Sequence, residues 1–338
     1  MVSFKYFRPI LSFEKSYPDD AIFLGNTNFW FNLVKVFERG SSPRVVSAAE
    51  MPVEIKSTLM LYQANILGVK KKVPLVMGIL NTSPDSFSDS GISSGFNTFS
   101  DKISEMNNCG IDIIDIGGES TRPGFTTIPV NIEKERVKGV LKFVRKKYPN
   151  IIISIDTRKS QIGQYALSLG AKIFNDVSSF SFDYKSIDVA KKFGTYVCLM
   201  HTAGHGMELH KKISGGDFLL DIFDYLRERI CFVESRGISR SKIIIDPGIG
   251  FGKTELQNLN ILKNISLFHT LGCPILVGVS RKKFIGNITG EKTPLGRMVG
   301  STFLAGELIK QGVQVVRVHD ISDTNQVVKI FNRLMSVE

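Results

Sequence analysis

The sequence predicts an α/β fold, a closed (β/α)8 TIM barrel preceded by a small N-terminal accessory segment. Three observations predict it. Eight short apolar runs recur along the chain, and most end in a residue able to hold a phosphate, a metal or a heterocycle. Segments of helical length lie between the runs. Glycines stand where those helices must stop. The C-terminal strand ends of such a barrel carry its active site, so chemistry gathered at one end of each run implies one barrel with one site.

In order, Leu75–Leu80 leads into Asn81, and Ile111–Ile116 into Gly117-Gly118-Glu119-Ser120-Thr121-Arg122. Ile151–Ile155 ends at Asp156, Ala171–Phe174 at Asn175, Tyr196–Met200 at His201 and Ile243–Ile245 at Asp246. Ile275–Val279 leads to Ser280-Arg281-Lys282, and Val313–Val318 carries Arg317 and ends at His319. Asp217–Ser235 is the clearest helix. Phe218, Ile222, Phe223, Leu226, Ile230 and Val233 recur at three- and four-residue steps and make one apolar face. Gly110, Gly170, Gly194, Gly237, Gly272 and Gly312 each precede an apolar run, as helix-stop glycines do. A doubly wound open sheet is the alternative; functional residues on nearly every run favour closure.

At 338 residues the chain exceeds the roughly 250 of a typical barrel. Residues 1–72 are therefore assigned to an N-terminal extension and 73–338 to the barrel. Within the extension Phe29–Phe31 and Leu33–Phe37 read as strands, and Glu50–Gln63 as a helix after Ser47. A 43% hydrophobic and 10% aromatic composition fits a globular enzyme with a large core. No apolar run approaches the ~18 residues of a membrane span, and Met1–Phe13 lacks the apolar stretch of a secretory signal. Cys109, Cys198, Cys231 and Cys273 are widely spaced, which points to reduced thiols and a cytoplasmic location. The net charge of +11 comes without long basic blocks, so no nucleic-acid partner is expected. The basic field instead suits an anionic small substrate.

Each motif has a bland reading beside its functional one. Asn81-Thr82-Ser83-Pro84-Asp85-Ser86-Phe87-Ser88-Asp89 is a polar turn or an active-site loop based on Asn81. A neutral carboxamide oxygen there suits Mg2+ shared with substrate phosphates. Gly117–Gly124 offers backbone N–H groups, two hydroxyls and the Arg122 fork to an anion. Asp156, Asn175 and Asp246 suit a ligand with several N–H donors, such as an aminopyrimidinone edge. Asp115, on the second run, is either structural or a support for that set. Gly248–Thr254 lacks P-loop spacing, which excludes ATP, and reads as a wall with Phe251 against a flat ligand. His201 and His205 would share one helical face, but Gly204 and Gly206 argue for a loop, and no carboxylate or thiolate reads as a third ligand for them or His210, so no zinc site is expected. Arg317 and His319 alternate onto one side of the last strand, where both can reach one anion.

Taken together, the segment from Leu75 to Leu334 resembles the bacterial dihydropteroate synthases. The residues that carry the resemblance are MGILNTSPDSFSD, IDIGGESTRPG, ISIDT, DPGIGFGK, LVGVSRKKFIG and RVHD, in this order. The resemblance implies a transferase that condenses 6-hydroxymethyl-7,8-dihydropterin diphosphate with 4-aminobenzoate in folate biosynthesis, requiring Mg2+. It implies Asn81 as the metal and diphosphate ligand. Thr121, Arg122, Arg317 and His319 complete the diphosphate pocket. Asp156, Asn175, Met200, Asp246, Phe251 and Lys282 hold the pterin, and Phe87, Pro123, Lys282 and Lys283 hold the 4-aminobenzoate. Asp156, Lys282, Arg317 and His319 are the expected catalytic residues, and a homodimer is implied. Lys283 departs from the serine usual beside the aminobenzoate, and Thr202–His210 departs from the usual loop. A non-catalytic pterin-binding paralogue and a pterin-dependent corrinoid methyltransferase are the alternatives. Intact Asn81, Arg122, Lys282 and His319 disfavour the first, and the NTSPDSFSD, SRKKF and RVHD set disfavours the second.

Overall fold

The computed structural model describes residues 4–62, 66–69, 74–83, 96–121, 124–204, 209–210 and 216–337. Eight parallel strands form the barrel: β6 (Leu75–Asn81), β7 (Ile113–Gly117), β8 (Ile152–Asp156), β9 (Ile173–Asp176), β10 (Tyr196–Met200), β11 (Ile243–Asp246), β12 (Leu276–Val277) and β13 (Val315–Val318). They run in the order β11-β10-β9-β8-β7-β6-β13-β12, and a parallel bridge between Ile245 and Ile275 closes the ring.

All eight predicted runs contain barrel strands, several of them starting one or two residues later than the run. The fourth begins at Ile173 rather than Ala171, because the Ala171 N–H turns back to the Ala166 carbonyl and finishes the preceding helix. The seventh is Leu276–Val277; before it, the Ile275 N–H goes to the Gln314 side chain and Ile275 joins β11 only through its bridge to Ile245. The predicted helix at 217–235 is Phe218–Ser235, with Ile222, Phe223, Leu226, Ile230 and Val233 buried. All six predicted stop glycines have positive φ, between 59° and 94°.

Strand alternation sorts the barrel interior into layers. Leu75, Met77, Ile113, Ile173, Cys198, Ile244, Leu276 and Val315 pack together as a lower apolar layer, joined by Ile66 from the segment before β6. Two residues further along the same face the residues become polar or borderline: Asp115 on β7, Asn175 on β9, Met200 on β10, Asp246 on β11 and Arg317 on β13. The same inward parity that fills the core thus delivers polar groups to the mouth.

Ahead of the barrel, β1 (Tyr6–Pro9), β4 (Leu33–Phe37) and β5 (Arg44–Ser47) form an antiparallel sheet, and β2 (Ile22–Phe23) pairs with β3 (Trp30–Phe31). The helix expected over 50–63 is split. Ala48–Glu50 is a 3-10 turn capped by the Ser47 side chain, and Val53–Met60 is α-helical. Pro52 between them is extended, at φ −54° and ψ 142°, and cannot carry a continuous helix. The segment is fastened to the barrel's helices. Tyr6 Oη donates to Asp224 at 2.8 Å, Arg8 reaches Asn264 and Ser266, each at 3.1 Å, and Phe13 packs edge-on against Phe331.

Candidate active site

Register places the site residues in one ring. Asn81 pairs with Gly117, Gly117 with Asp156 and Asp156 with Asn175 across β6 to β9, and Met200 pairs with Asp246 across β10 and β11. Gly117 sits between Asn81 and Asp156, where a Cβ would lie in contact with the Asn81 Oδ1 and the Asp156 Cβ at 3.4 and 3.5 Å. Asp156, Asn175, Met200 and Asp246 are all buried, at 7%, 5%, 3% and 7% exposure. Such polar burial requires partners.

Arg317 supplies them at the centre. Its Nε donates to Asp115 Oδ2 at 2.7 Å and its Nη2 to Asp156 Oδ2 at 2.9 Å, while Asn175 Nδ2 donates to Asp115 Oδ2 at 3.1 Å. Asp115 is therefore a support that fixes Arg317 and Asn175. Burial, then the neighbouring Asp115, pushes the Asp156 carboxyl up to about 7, with Arg317 opposing. The same pair holds Arg317 above its ordinary value despite its burial. The two directions agree: one guanidinium shared by two carboxylates leaves an excess of buried negative charge.

The opposite wall is cationic. Burial, and then Arg317, lowers Lys282 to about 8 against the pull of Asp246. The Lys282 ammonium lies 4.7 Å from the Phe251 ring centroid. Arg281 beside it has φ 58°, a strained value for a side-chain-bearing residue. It is held there by two bonds to Asp320, at 3.2 and 2.5 Å, and by its N–H to Ser301 Oγ. That pin sets the start of helix Lys283–Thr289 and so the position of Lys282. Ser280 Oγ accepts the His319 N–H and lies 3.1 Å from His319 Nδ1, orienting that ring. Burial first, and then Arg281, Arg317, Lys102 and Lys282, hold the His319 imidazole well below its ordinary pKa.

The glycine-rich wall is built on Lys253. Its ammonium donates to the carbonyls of Gly248 (2.7 Å) and Phe251 (3.2 Å) and lies 3.1 Å from His201 Nδ1. Burial lowers Lys253 to about 7 against the pull of Asp246; in its ammonium form it only donates, so His201 Nδ1 accepts. Burial and Lys253 push the His201 pKa down to about 2. Gly248 must be glycine: φ is +71°, and a Cβ would stand 2.0 Å from the His201 carbonyl oxygen. Its N–H in turn donates to Asp246 Oδ1 at 2.7 Å, aiming that carboxylate.

Under the second loop lies a buried charge network that sequence reasoning missed. Glu119 accepts from Arg158 Nη2 at 2.5 Å and from Lys159 Nζ at 2.7 Å, and Lys159 also reaches Glu133 at 2.5 Å. Glu119 also accepts the Ile128 N–H at 2.9 Å, so the network anchors both ends of the loop that begins at Gly117.

Of the predicted residues, the structure gathers Asn81, Thr121, Asp156, Asn175, Met200, Asp246, Phe251, Lys282, Arg317 and His319 at the C-terminal mouth. Lys283 is solvent-exposed as the first residue of its helix. Phe87, Arg122, Pro123 and His205 lie outside the described residues. Among the described residues, no three His, Cys, Asp or Glu side chains converge on a metal position.

Comparison with known proteins agrees with this geometry. The pterin binding enzyme family matches residues 77–319. The chain belongs to that family. Dihydropteroate synthase of Escherichia coli is 36% identical over 268 residues, covering 78% of this chain and 93% of that protein. Folic acid synthesis protein fol1 of Pneumocystis carinii is 37% identical over 260 residues, but the chain spans only 35% of its length. Xanthomonas albilineans dihydropteroate synthase, solved with 4-aminobenzoic acid, superposes with a TM-score of 0.73 at 34% identity, covering 78% of this chain and 94% of that one.

Proposed function

We propose that this member of the pterin binding enzymes is a transferase of folate biosynthesis. It joins (7,8-dihydropterin-6-yl)methyl diphosphate to 4-aminobenzoate, giving 7,8-dihydropteroate and pyrophosphate. The observation that carries the reading is a single mouth in which buried acceptors (Asp156, Asn175, Asp246) face cations (Lys282, Arg317). The acceptors suit the N–H-rich edge of a pterin, and Lys282 suits its carbonyl. Asn81, Thr121, Arg317 and His319 are assigned to the diphosphate and Lys282 to the pterin and aminobenzoate; the roles of Arg122 at the diphosphate and of Phe87, Pro123 and Lys283 at the aminobenzoate rest on the resemblance alone.

The C–O bond to the diphosphate breaks first, and its electron pair leaves with the diphosphate, released as pyrophosphate. The pterin ring delocalises the cation, and the Asp156 carboxylate stabilises it electrostatically. The neutral aminobenzoate nitrogen then forms the new C–N bond and loses its proton, so no strong base is needed. Asn81 offers one neutral carboxamide oxygen that would help hold Mg2+ brought in on the diphosphate. Bound there, the ion neutralises charge on the leaving group.

We also assign a homodimer and a cytoplasmic location. Ile288, Leu295, Val299 and Phe303 are exposed on adjoining segments, and such apolar surface suits a second copy. The four cysteines are unpaired, as in a reducing compartment. No helix among the described residues is long and apolar enough to cross a membrane.

The test is pyrophosphate release by purified protein given the pterin diphosphate, Mg2+ and 4-aminobenzoate, omitting each in turn. Release that needs all three, with dihydropteroate as co-product, is the expected result. Tight pterin binding without release overturns the reading in favour of a non-catalytic pterin-binding protein.

A further inference from the structure

His210 lies outside the motifs on which the functional reading rests, yet it spans the mouth. Its ring stacks on Phe251, with centroids 5.0 Å apart and planes 10° from parallel. Its Nε2 lies 2.8 Å from the Thr121 carbonyl oxygen. A carbonyl only accepts, so Nε2 carries the hydrogen. Burial, with the Lys282 and Lys253 charges, keeps the imidazole below its ordinary pKa against the pull of that bond, and the ring is neutral at pH 7. The preceding Leu209 is fully buried and packs with Val177 and Met200, alongside Phe125 and Phe251. The ring is therefore anchored from its own backbone as well as by its two contacts.

Those two contacts belong to different halves of the site. Thr121 follows β7, in the loop assigned to the diphosphate. Phe251 follows β11, in the wall assigned to the pterin. β7 and β11 stand four places apart in a ring of eight strands, on opposite sides of the barrel. His210 thus ties a diphosphate element to a pterin element across the opening, with a hydrogen bond at one end and a ring stack at the other.

We propose that His210 is a positioning residue that couples the diphosphate and pterin subsites, so that occupation of one strengthens binding at the other. This rests on the functional reading above. Reciprocal strengthening is what linkage demands of two sites that share one restrained element.

Three variants separate the two contacts. His210→Phe keeps the ring and loses the donor, His210→Gln keeps a donor and loses the ring, and His210→Ala loses both. The measurements are calorimetric binding of 6-hydroxymethylpterin with and without pyrophosphate and Mg2+, steady-state kinetics, and melting temperature. In the wild type each ligand is expected to tighten the other, and their independent binding would overturn the proposal. His210→Phe is expected to bind the pterin alone within about twofold of wild type and to lose that mutual tightening. Its KM for the pterin diphosphate rises about tenfold, the scale of one lost hydrogen bond, with kcat changed far less. His210→Gln shows the reverse, weaker pterin binding with part of the coupling kept. A merely structural residue would instead lower melting temperature and kcat together in all three. That pattern, or wild-type coupling in His210→Ala, overturns the proposal while leaving wild-type pyrophosphate release intact. A wild type that releases no pyrophosphate overturns the functional reading and this inference with it.

Discussion

Arg317 holds Asp115 and Asp156 at once, through Nε at 2.7 Å and Nη2 at 2.9 Å. Removing the guanidinium leaves two buried carboxylates without a counter-charge, the case in which a broken buried pair costs most. Arg317→Met is expected to lose about 3–5 kcal/mol of unfolding free energy in urea at neutral pH. Adding Asp115→Asn should return part of that loss, because it removes one of the stranded charges. Turnover should fall about 10²–10³-fold, the scale of a lost preorganised donor. Arg317→Met with wild-type urea stability would show that the two carboxylates do not depend on it.

Activity should be confined to a narrow pH range. Asp156, pushed up to about 7 by burial and by Asp115, must be ionised to face the pterin cation. Activity therefore falls on the acid side as this carboxylate takes up a proton. Lys282, pushed down to about 8 by burial and by Arg317, must be protonated to donate to the pterin carbonyl. Activity therefore also falls on the alkaline side, as this ammonium loses its proton. The expected profile of kcat/KM for the pterin diphosphate is a bell with limbs near these values. Lys282→Arg should extend the alkaline limb upward, because guanidinium does not titrate there. A profile flat from roughly pH 6 to 9 would remove both assignments.

Glu119, Glu133, Arg158 and Lys159 form a buried quartet in which each ion has a partner of opposite sign. Lys159→Met strands Glu133 and leaves Glu119 with Arg158 alone. Breaking such a pair typically costs about 3–5 kcal/mol, and here the loop that begins at Gly117 is attached to it. The variant should melt earlier and, while still folded, show a raised KM for the pterin diphosphate. An unchanged KM would mean that the quartet supports the fold but not the loop.

The strand ends were legible because an inward-facing polar residue interrupts an apolar run, and that pattern needs no tertiary information. Asp156, Asn175, Asp246, Arg317 and His319 were all found this way. The quartet was not. Arg158 and Lys159 follow a strand and begin a helix, where charges usually face solvent, and their burial depends on Glu119 and Glu133 from elsewhere in the chain. Asp115 reads from the sequence as either structural or supporting, and its bonds to Arg317 and Asn175 decide for support. In the sequence His210 is one of three histidines within ten residues; its contacts, Thr121 and Phe251, are 89 and 41 positions away, beyond any local pattern. Pro52 marks, in the sequence itself, the break in the helix expected over 50–63.

The N-terminal extension should matter for stability rather than for chemistry. Its ion pairs are too exposed to hold it, since Arg39 is 41% exposed where it meets Asp221 and Asp224, and such pairs contribute about 0–1 kcal/mol. Its buried apolar side chains are the stronger attachment. Leu24, Phe31 and Leu59 are fully buried and Phe29 is at 2%, each worth about 1.5–3 kcal/mol. Phe29 stacks over Phe331 of the last barrel helix, and Tyr6 meets Phe223 edge-on. Phe31→Ala should therefore cost about 3–5 kcal/mol while leaving kcat/KM unchanged at temperatures where the variant is folded. A chain beginning at Ile66 keeps the lower apolar layer of the barrel but exposes Phe223, Phe268 and Phe331, and should aggregate on expression. A monodisperse truncated chain with wild-type melting temperature would show that the barrel does not need the extension. A folded truncation that had lost turnover would show that the extension reaches the site.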